Sequence, residues 1–278
     1  MIEQRLPIAT RWTLYALGAV EGQRVRRPRD PVAAWLLRRH PQLLPTFAAP
    51  SILSMIRARA NIVDRMIEEI VNRARLADET LDFWGFGGGF DARWYRLMRE
   101  MDDVVVSHQE VEEPALMEFK DELLASSSFA NAWERIRKHS EAKHNWTVQS
   151  TDSRPLVTLE GVSTRLGPQK TLSLLARLRQ DAPEATVILD LPGFLNSSVG
   201  LGGRPAVVGS VRSRWSSATA SGAAQIKTAE IAALGFEVVE DSWFAARPEL
   251  RAPSGMPICS GMEAFRVMLL QARPADKT

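Results

Sequence analysis

Three consecutive glycines stand where the sequence changes from an apolar run to a helical pattern. Gly87, Gly88 and Gly89 follow the apolar run 80–86 and precede a predicted helix over residues 91–100. Glycine lets the backbone approach a ligand closely because it has no Cβ. A helix N-terminus offers unpaired N–H groups and the positive end of a dipole. The pattern therefore predicts a ligand-binding turn after the first strand or, as in many α/β folds, only a tight corner.

An acidic residue follows at the distance expected for a nucleoside site. The predicted strand 103–107 leads into His108, and Glu112 stands 23 residues after Gly89. An acid that ends the second strand of a βαβ unit can accept hydrogen bonds from ribose hydroxyls. Ala92 breaks the Gly-x-Gly-x-x-Gly pattern, and the sequence has no Gly-Lys-Ser/Thr loop. NAD and ATP are therefore less favoured than a nucleoside ligand without a pyrophosphate.

Other polar residues are weaker candidates for chemistry. His108, at the end of the second predicted strand, is either a candidate general base or a satisfied or exposed histidine. No metal site is predicted, because His139 and His144 have no carboxylate or cysteine partner at ligand spacing. Three arginines in a long loop form either a solvated surface or a site for an acidic substrate or a phosphopantetheine carrier: Arg204, Arg212 and Arg214.

The secondary structure predicted around these residues changes along the chain from helices alone to alternating strands and helices. Helical patterns fill residues 1–78, where Asp30 and Pro31 start one helix as N-cap and first residue. From residue 79 onward, predicted strands alternate with helices, which favours βαβ units and a mostly parallel sheet. We therefore predict an α/β fold with an N-terminal helical cap over 1–78 and a Rossmann-like domain over 79–278. A loop or lid covers 192–222.

The composition excludes several classes of protein. The formal net charge of +2 over 278 residues gives no argument for nucleic acid binding. No apolar run approaches the roughly 20 residues of a membrane span. Cys259, the only cysteine, cannot form an internal disulfide, and no apolar signal segment is visible near the N-terminus. These features favour a reducing, cytoplasmic location.

Four motifs, in their order and spacing, carry a resemblance to a known family. They are the segment 86–97 (FGGGFDARWYRL), the segment 110–114 (EVEEP) with Lys120, the segment 160–162 (EGV), and the segment 59–64 (RANIVD). Together they resemble the leucine carboxyl methyltransferase-like family, which includes bacterial polyketide O-methyltransferases. The resemblance covers roughly residues 10–272. It implies a class I S-adenosylmethionine (SAM) methyltransferase fold, with an antiparallel last strand and SAM as cofactor.

The resemblance also implies a role for each matching residue. The turn at Gly87, Gly88 and Gly89 would pass beneath the methionine part of SAM. Glu112 would bind the ribose, and Arg59 would pair with the SAM carboxylate. Glu160, after a later strand, would lie near the methionine amino group or the transfer site. Asp91, Arg93 and Arg96 are instead expected to form local ion pairs within their helix.

The chain departs from the family pattern at several positions. Gly85 stands where the family often has an acid, Ala92 replaces a threonine, and no tyrosine occurs in 163–165. The adenine-reading strand that ends in an acid is missing between residues 124 and 154. Either the adenine candidates Ser127, Ser128 or Trp133 take its role, or the pocket no longer binds SAM in the usual way. As substrate-binding residues that could face a sulfonium, we select three aromatic side chains: Trp12, Tyr15 and Trp215.

Three hypotheses on function remain open at this point. The first is a SAM-dependent enzyme that methylates a carboxylate or hydroxyl of a small specialised metabolite. The second is the same fold catalysing an intramolecular cyclisation to an azetidine or aziridine. The third is a non-catalytic partner in a complex. In the first, the protein mainly positions the nucleophile, so no catalytic triad is required.

Overall fold

The computed structural model describes residues 8–18, 30–45, 50–97, 101–137, 153–191, 226–243 and 266–273. The N-terminal part consists of three α-helices, α1 (Ile8–Gly18), α2 (Pro31–Arg39) and α3 (Pro50–Leu76), with a short 3-10 helix at Pro41–Leu43. The predicted start of α2 is confirmed. Asp30 is its N-cap, accepts a hydrogen bond from the amide of Ala33, and precedes a proline at the first position.

Six strands form one mixed sheet. They are β1 (Leu81–Phe86), β2 (Val105–Val111), β3 (Arg154–Leu159), β4 (Thr186–Leu191), β5 (Phe236–Trp243) and β6 (Arg266–Ala272). Their order is β2-β1-β3-β4-β6-β5. The first four strands in this order are parallel, and β6 runs antiparallel to both β4 and β5. This arrangement confirms the predicted Rossmann-like fold with an antiparallel last strand.

The helices between the strands are mostly short. They are α4 (Arg93–Arg96), α5 (Pro114–Leu124), α6 (Ala130–Arg137), α7 (Val162–Leu166), α8 (Pro168–Asp181) and α9 (Thr228–Ala233). In a βαβ unit, a helix connects two parallel strands of one sheet and packs on a face of that sheet. The alternation of strands and helices in the sequence is therefore confirmed.

Two apolar clusters lie on the two faces of the sheet. One contains residues of α1, α2 and α3 together with sheet residues such as Leu81 and Phe83. The other contains Trp84 and Phe86 together with residues of α8 and α9. Consecutive residues of β1 thus alternate between the two clusters, as the two-residue period of a strand requires. The first cluster extends across the predicted domain boundary between residues 78 and 79.

Two predicted boundaries were wrong. The second strand does not end at residue 107, because His108 to Val111 continue in parallel register with Phe83 to Phe86. The helix predicted over 91–100 begins only at Arg93 and covers four residues within the described part. The amide of Ala92, immediately before it, donates to the carboxylate of Asp30 at 2.8 Å. Asp30 thereby fixes the start of two helices, α2 and α4.

The region where the adenine-reading strand is missing is described in part. Residues 125–137 form a turn and α6, with no strand. Residues 138–152 lie outside the described ranges, as do the predicted lid at 192–222 and Trp215. Within the described ranges, β2 is an edge strand of the sheet, and no helix is long and apolar enough to cross a membrane.

Replacement of Asp30 by alanine is expected to destabilise the fold strongly. Asp30 is fully buried, and its two oxygens accept separately from the amides of Ala33 and Ala92. Each buried amide that loses its acceptor costs about 1–3 kcal/mol. Urea unfolding of Asp30→Ala should therefore show a free energy of unfolding that is lower by roughly 2–6 kcal/mol.

Asp30→Asn is the matched control, because an asparagine oxygen can still accept one of the two hydrogen bonds. Its loss should be close to half that of the alanine variant. A loss below about 0.5 kcal/mol for Asp30→Ala, which is ordinary for a surface substitution, would contradict the assignment.

Candidate functional site

The candidate site lies at the carboxyl ends of the parallel strands. Gly87 follows β1, Glu112 follows β2, Glu160 follows β3, and Asp190 is the penultimate residue of β4. From β1 the chain proceeds to β2 on one side, and the next strand, β3, pairs with β1 on the other side. Ligands of open α/β sheets bind outside the carboxyl ends at this kind of switch in strand order.

The three glycines of the turn have different surroundings. Gly87 has φ +68°, and a Cβ there would lie 2.9 Å from Cγ2 of Val162. Gly89 has φ +58° and lies against Thr10 of α1. A Cβ on Gly88 would meet nothing within 4 Å. Gly87 thus permits close packing of α7 on the turn, whereas Gly88 faces open space where a ligand can approach the backbone.

Glu112 is fixed against the glycine turn. Its Oε2 accepts from the amide of Gly89 at 3.0 Å. Its Oε1 accepts from the amide of Glu113 at 3.1 Å and from Nη1 of Arg165 at 3.0 Å. The acid predicted to bind ribose and the turn predicted to pass under the ligand are therefore adjacent.

A buried lysine supports the same turn from below. Nζ of Lys120 donates to the carbonyl of Gly89 at 3.0 Å and to Oε2 of Glu110 at 2.6 Å. It also lies 4.6 Å from the ring centre of Trp133, a distance suited to a cation–π contact. Burial raises the pKa of Glu110, which Lys120 opposes. A fully enclosed ammonium group of this kind holds the turn in one position.

A second set of charges fills the space between α3 and the strand ends. We call it the buried ion-pair cluster; its members are Asp30, Arg59, Asp64, Asp91, Arg93, Arg96, Glu160 and Asp190. Within it, Arg59 donates to Glu160 at 2.9 Å and to Asp190 at 3.1 Å. Arg93 donates to the other oxygen of Glu160 at 2.6 Å and to Asp64 at 2.6 Å. Glu160 therefore lies between two guanidinium groups, with both oxygens engaged.

Arg96 completes the cluster. It donates to both oxygens of Asp64, at 2.8 and 2.9 Å, and forms an ion pair with Asp91. Bidentate contacts of this kind combine strength with fixed geometry. The local ion pairs expected among Asp91, Arg93 and Arg96 are present, because Asp91 pairs with both arginines. Arg93 and Arg96 also reach Asp64 on α3, which the sequence did not predict.

The cluster carries more acids than bases, with five carboxyl groups against three guanidinium groups. Burial raises the pKa of Asp190 to about 6, although Arg59 opposes the shift. Burial also disfavours the charged form of Asp91, but Arg93 and Arg96 outweigh it and hold the pKa of Asp91 well below its usual range. The excess of acid at Asp190, next to Arg59 and Glu160, favours a cationic group nearby.

His108 does not lie at the strand end, where the sequence predicts it. It lies within β2, with its ring 4.6 Å from that of Phe83. Burial, together with the positive charges of Lys120 and Arg93, lowers the pKa of His108 to about 3. The imidazole is therefore neutral and a weak base at neutral pH. Its catalytic role stays a prediction that this position does not favour.

The aromatic candidates for substrate binding occupy different positions. Trp12 is 7% exposed and packs within the core of the helical part, while Tyr15 is partly buried against that core. Trp215 lies outside the described residues. Among the adenine candidates, Trp133 donates its ring N–H to Asp121 at 2.8 Å. Ser127 donates to the carbonyl of Leu124.

Four site residues were not identified from the sequence as parts of a site: Asp64, Asp190, Thr10 and Arg165. In the sequence, Asp64 is the last residue of the 59–64 motif, and Arg165 lies in the segment 163–165 that lacks the family's tyrosine. The signal that could have found Asp190 is its position near the carboxyl end of the strand 186–191, in which every residue is buried. Carboxyl ends of such strands meet at the ligand-binding edge.

Comparison with known proteins gives only structural neighbours. No family model matches the sequence, and no curated protein matches it. One solved structure with a similar fold is an O-methyltransferase family protein from Burkholderia thailandensis (9% identity, TM-score 0.43), whose match covers 82% of this chain and 61% of that protein. This chain therefore spans less than two thirds of that neighbour's length.

Two other neighbours match over nearly their whole length. One is magnesium protoporphyrin IX methyltransferase from Synechocystis with bound SAM (10% identity, TM-score 0.43, 97% of this chain and 98% of that chain). The other is a SAM-dependent methyltransferase from Clostridium acetobutylicum (8% identity, TM-score 0.41, 77% and 98%). Because the identities and TM-scores are low, the fold assignment depends on the strand order itself.

The raised pKa of Asp190 predicts how one variant responds to pH. An unfolded aspartate ionises near pH 3.8 and the folded Asp190 near pH 6. In that window the folded state binds the proton more tightly, so this group's contribution to stability falls as pH rises. Asp190→Asn removes the contribution. The melting temperature of the variant minus that of the wild type should therefore rise, by on the order of 5 °C, between pH 4 and 7.

Leu189→Val is the matched control, since it changes packing on the same strand without removing a titratable group. Its melting-temperature difference from the wild type should stay constant across the same pH range. A constant difference for Asp190→Asn as well, measured by scanning fluorimetry, would show that Asp190 titrates alike in both states.

Proposed function

We propose that this chain is a SAM-dependent methyltransferase that methylates an oxygen of a small specialised metabolite. The observation that carries the proposal is the contact between Glu112 and the amide of Gly89 at 3.0 Å. It joins an acid at the end of β2 to the glycine turn at the end of β1, at the switch in strand order. An acid in this position accepts ribose hydroxyls, and the absence of a phosphate-binding pattern favours a nucleoside without a pyrophosphate.

The residues present fit SAM in two further respects. SAM carries two cationic groups, an ammonium and a sulfonium, and the buried ion-pair cluster has an excess of carboxyl groups. Gly88 leaves the space above the turn open. Arg59 is the candidate partner of the methionine carboxylate, because it lies at the carboxyl ends of β3 and β4 through its contacts with Glu160 and Asp190. SAM, when bound, would supply an activated methyl group.

The chain's own residues support a mechanism by positioning rather than by proton abstraction. Both oxygens of Glu160 accept hydrogen bonds from guanidinium groups, so abstraction of a proton would disrupt two ion pairs. His108, with a pKa of about 3, is a weak base. Of the two catalytic candidates, neither is suited to deprotonate a hydroxyl. This favours a nucleophile that is already ionised, namely a carboxylate, held in line with the methyl group.

The finer assignment extends the same proposal. The motifs at 59–64, 86–97, 110–114 and 160–162 support membership of the leucine carboxyl methyltransferase-like family, near its polyketide O-methyltransferases. A role in natural-product or antibiotic biosynthesis in the cytoplasm follows from that membership. Trp12, Tyr15 and Trp215 remain the candidate substrate contacts, and the substrate is a small molecule, free or held on a carrier protein.

Titration calorimetry with S-adenosylhomocysteine (SAH) tests the cofactor assignment. Glu112→Gln removes the charge that would accept the ribose hydroxyls, and a hydrogen bond to a charged group contributes about 1.5–3 kcal/mol. Affinity should therefore fall roughly 10- to 100-fold. Gly88→Ala should also weaken binding, because it adds a methyl group where the ligand would pass. The exposed Glu118→Gln on α5 is the control and should bind as the wild type does.

SAM with a labelled methyl group then tests the reaction. Label that appears in an added carboxylic acid supports the proposal. Label that stays in methylthioadenosine would instead indicate the cyclisation alternative, in which SAM loses its aminobutyrate part. No SAH binding by the wild-type chain would rule out both SAM reactions and leave the non-catalytic alternative.

A further inference from the structure

Arg165 forms an ion pair with Glu112, the residue that the proposed function assigns to the ribose. Its Nη1 lies 3.0 Å from Oε1 of Glu112, and its Nη2 lies 3.0 Å from the place where a Cβ on Gly87 would be. The guanidinium group of α7 therefore reaches across the glycine turn to the end of β2. No motif in the sequence predicts this contact, and the proposed function does not use it.

The contact with Arg165 limits how many further hydrogen bonds Glu112 can accept. A carboxylate offers about four lone-pair sites. Three donors already occupy Glu112: the amides of Gly89 and Glu113, and Arg165. A ribose diol brings two hydroxyl donors, which is one more than the remaining capacity. Glu112 can therefore accept both hydroxyls only when Arg165 leaves.

The two partners of this ion pair differ in their freedom to move. The side chain of Glu112 is 3% exposed and is held by two backbone amides, whereas that of Arg165 is 46% exposed. An ion pair with one exposed, long side chain is weak and is screened by salt. Arg165 is thus the partner that a ligand displaces.

We propose that Arg165 competes with the ribose of the ligand for Glu112, and so sets the affinity and the salt dependence of the site. The inference rests on the proposed function, because it takes the ligand to be an adenosine derivative such as SAM. Arg165 acts here as a residue that regulates access to Glu112 and does not react. Removing it should strengthen binding, which is the opposite of what loss of an ordinary ligand contact produces.

Calorimetry with SAH, which has no net charge, tests this inference on the whole chain. Arg165→Ala should bind SAH about two- to fivefold more tightly than the wild type at about 50 mM NaCl. At about 500 mM NaCl, screening weakens the ion pair of the wild type, so its affinity should approach that of the variant. Arg165→Lys keeps a cation near Glu112 and should retain part of the salt dependence.

Two controls separate competition from a general structural effect. Arg177→Ala removes another half-exposed arginine with an acid partner, Asp181 on α8, and should leave SAH binding unchanged. The 2′-deoxy analogue of SAH presents one hydroxyl fewer. For this analogue the gain of Arg165→Ala should disappear, because the remaining capacity of Glu112 already suffices.

The outcomes distinguish failure of the inference from failure of the proposed function. If the wild type binds SAH and Arg165→Ala binds it equally or less tightly, the competition is overturned and the SAM assignment stands. If neither the wild type nor any of the three variants binds SAH, the proposed function is overturned together with this inference.

Discussion

The buried ion-pair cluster contains three guanidinium groups, and each requires carboxylates around it. A buried charge that loses its partner costs about 3–5 kcal/mol. Arg59, Arg93 and Arg96 avoid that cost only because α3, the glycine turn and the ends of β3 and β4 supply acids within hydrogen-bond distance. Asp30 extends the same constraint to α2. The positions of the helical part and of the sheet edge are therefore coupled through one set of charges.

This coupling explains why the proposed site is rigid on one side and open on the other. Glu160 and Asp190 are held by Arg59, and the turn is held by Lys120 from below and by Glu112 at its side. Among the three glycines, only Gly88 is placed so that an added Cβ would meet nothing within 4 Å. Chemistry that depends on orientation rather than on a catalytic base is suited to such an arrangement. The acid excess of the cluster also favours a cationic cofactor over a phosphate.

Local patterns predicted much of the fold and part of the site. The sequence predicts three features correctly, because each depends on near neighbours or on one βαβ unit. They are the start of α2 at Asp30 and Pro31, the strand before the glycines, and the spacing from Gly89 to Glu112. The length of β2 was not predicted, since the polar residues at 107–110 break an apolar pattern. Two of them, Ser107 and Glu110, bond to side chains outside the strand, Asp82 and Lys120. The cluster was also missed. Arg59 is 101 residues from Glu160 and 131 from Asp190, and such distant partners leave no local signal.

A crystal structure of the chain grown with SAH tests the central claim most directly. The account predicts that the ribose hydroxyls lie within hydrogen-bond distance of Glu112, that the ligand passes over Gly88, and that Arg165 has left Glu112. The ligand carboxylate should lie near Arg59. SAH bound away from the carboxyl ends of β1 and β2, with Glu112 still paired to Arg165, would contradict the account.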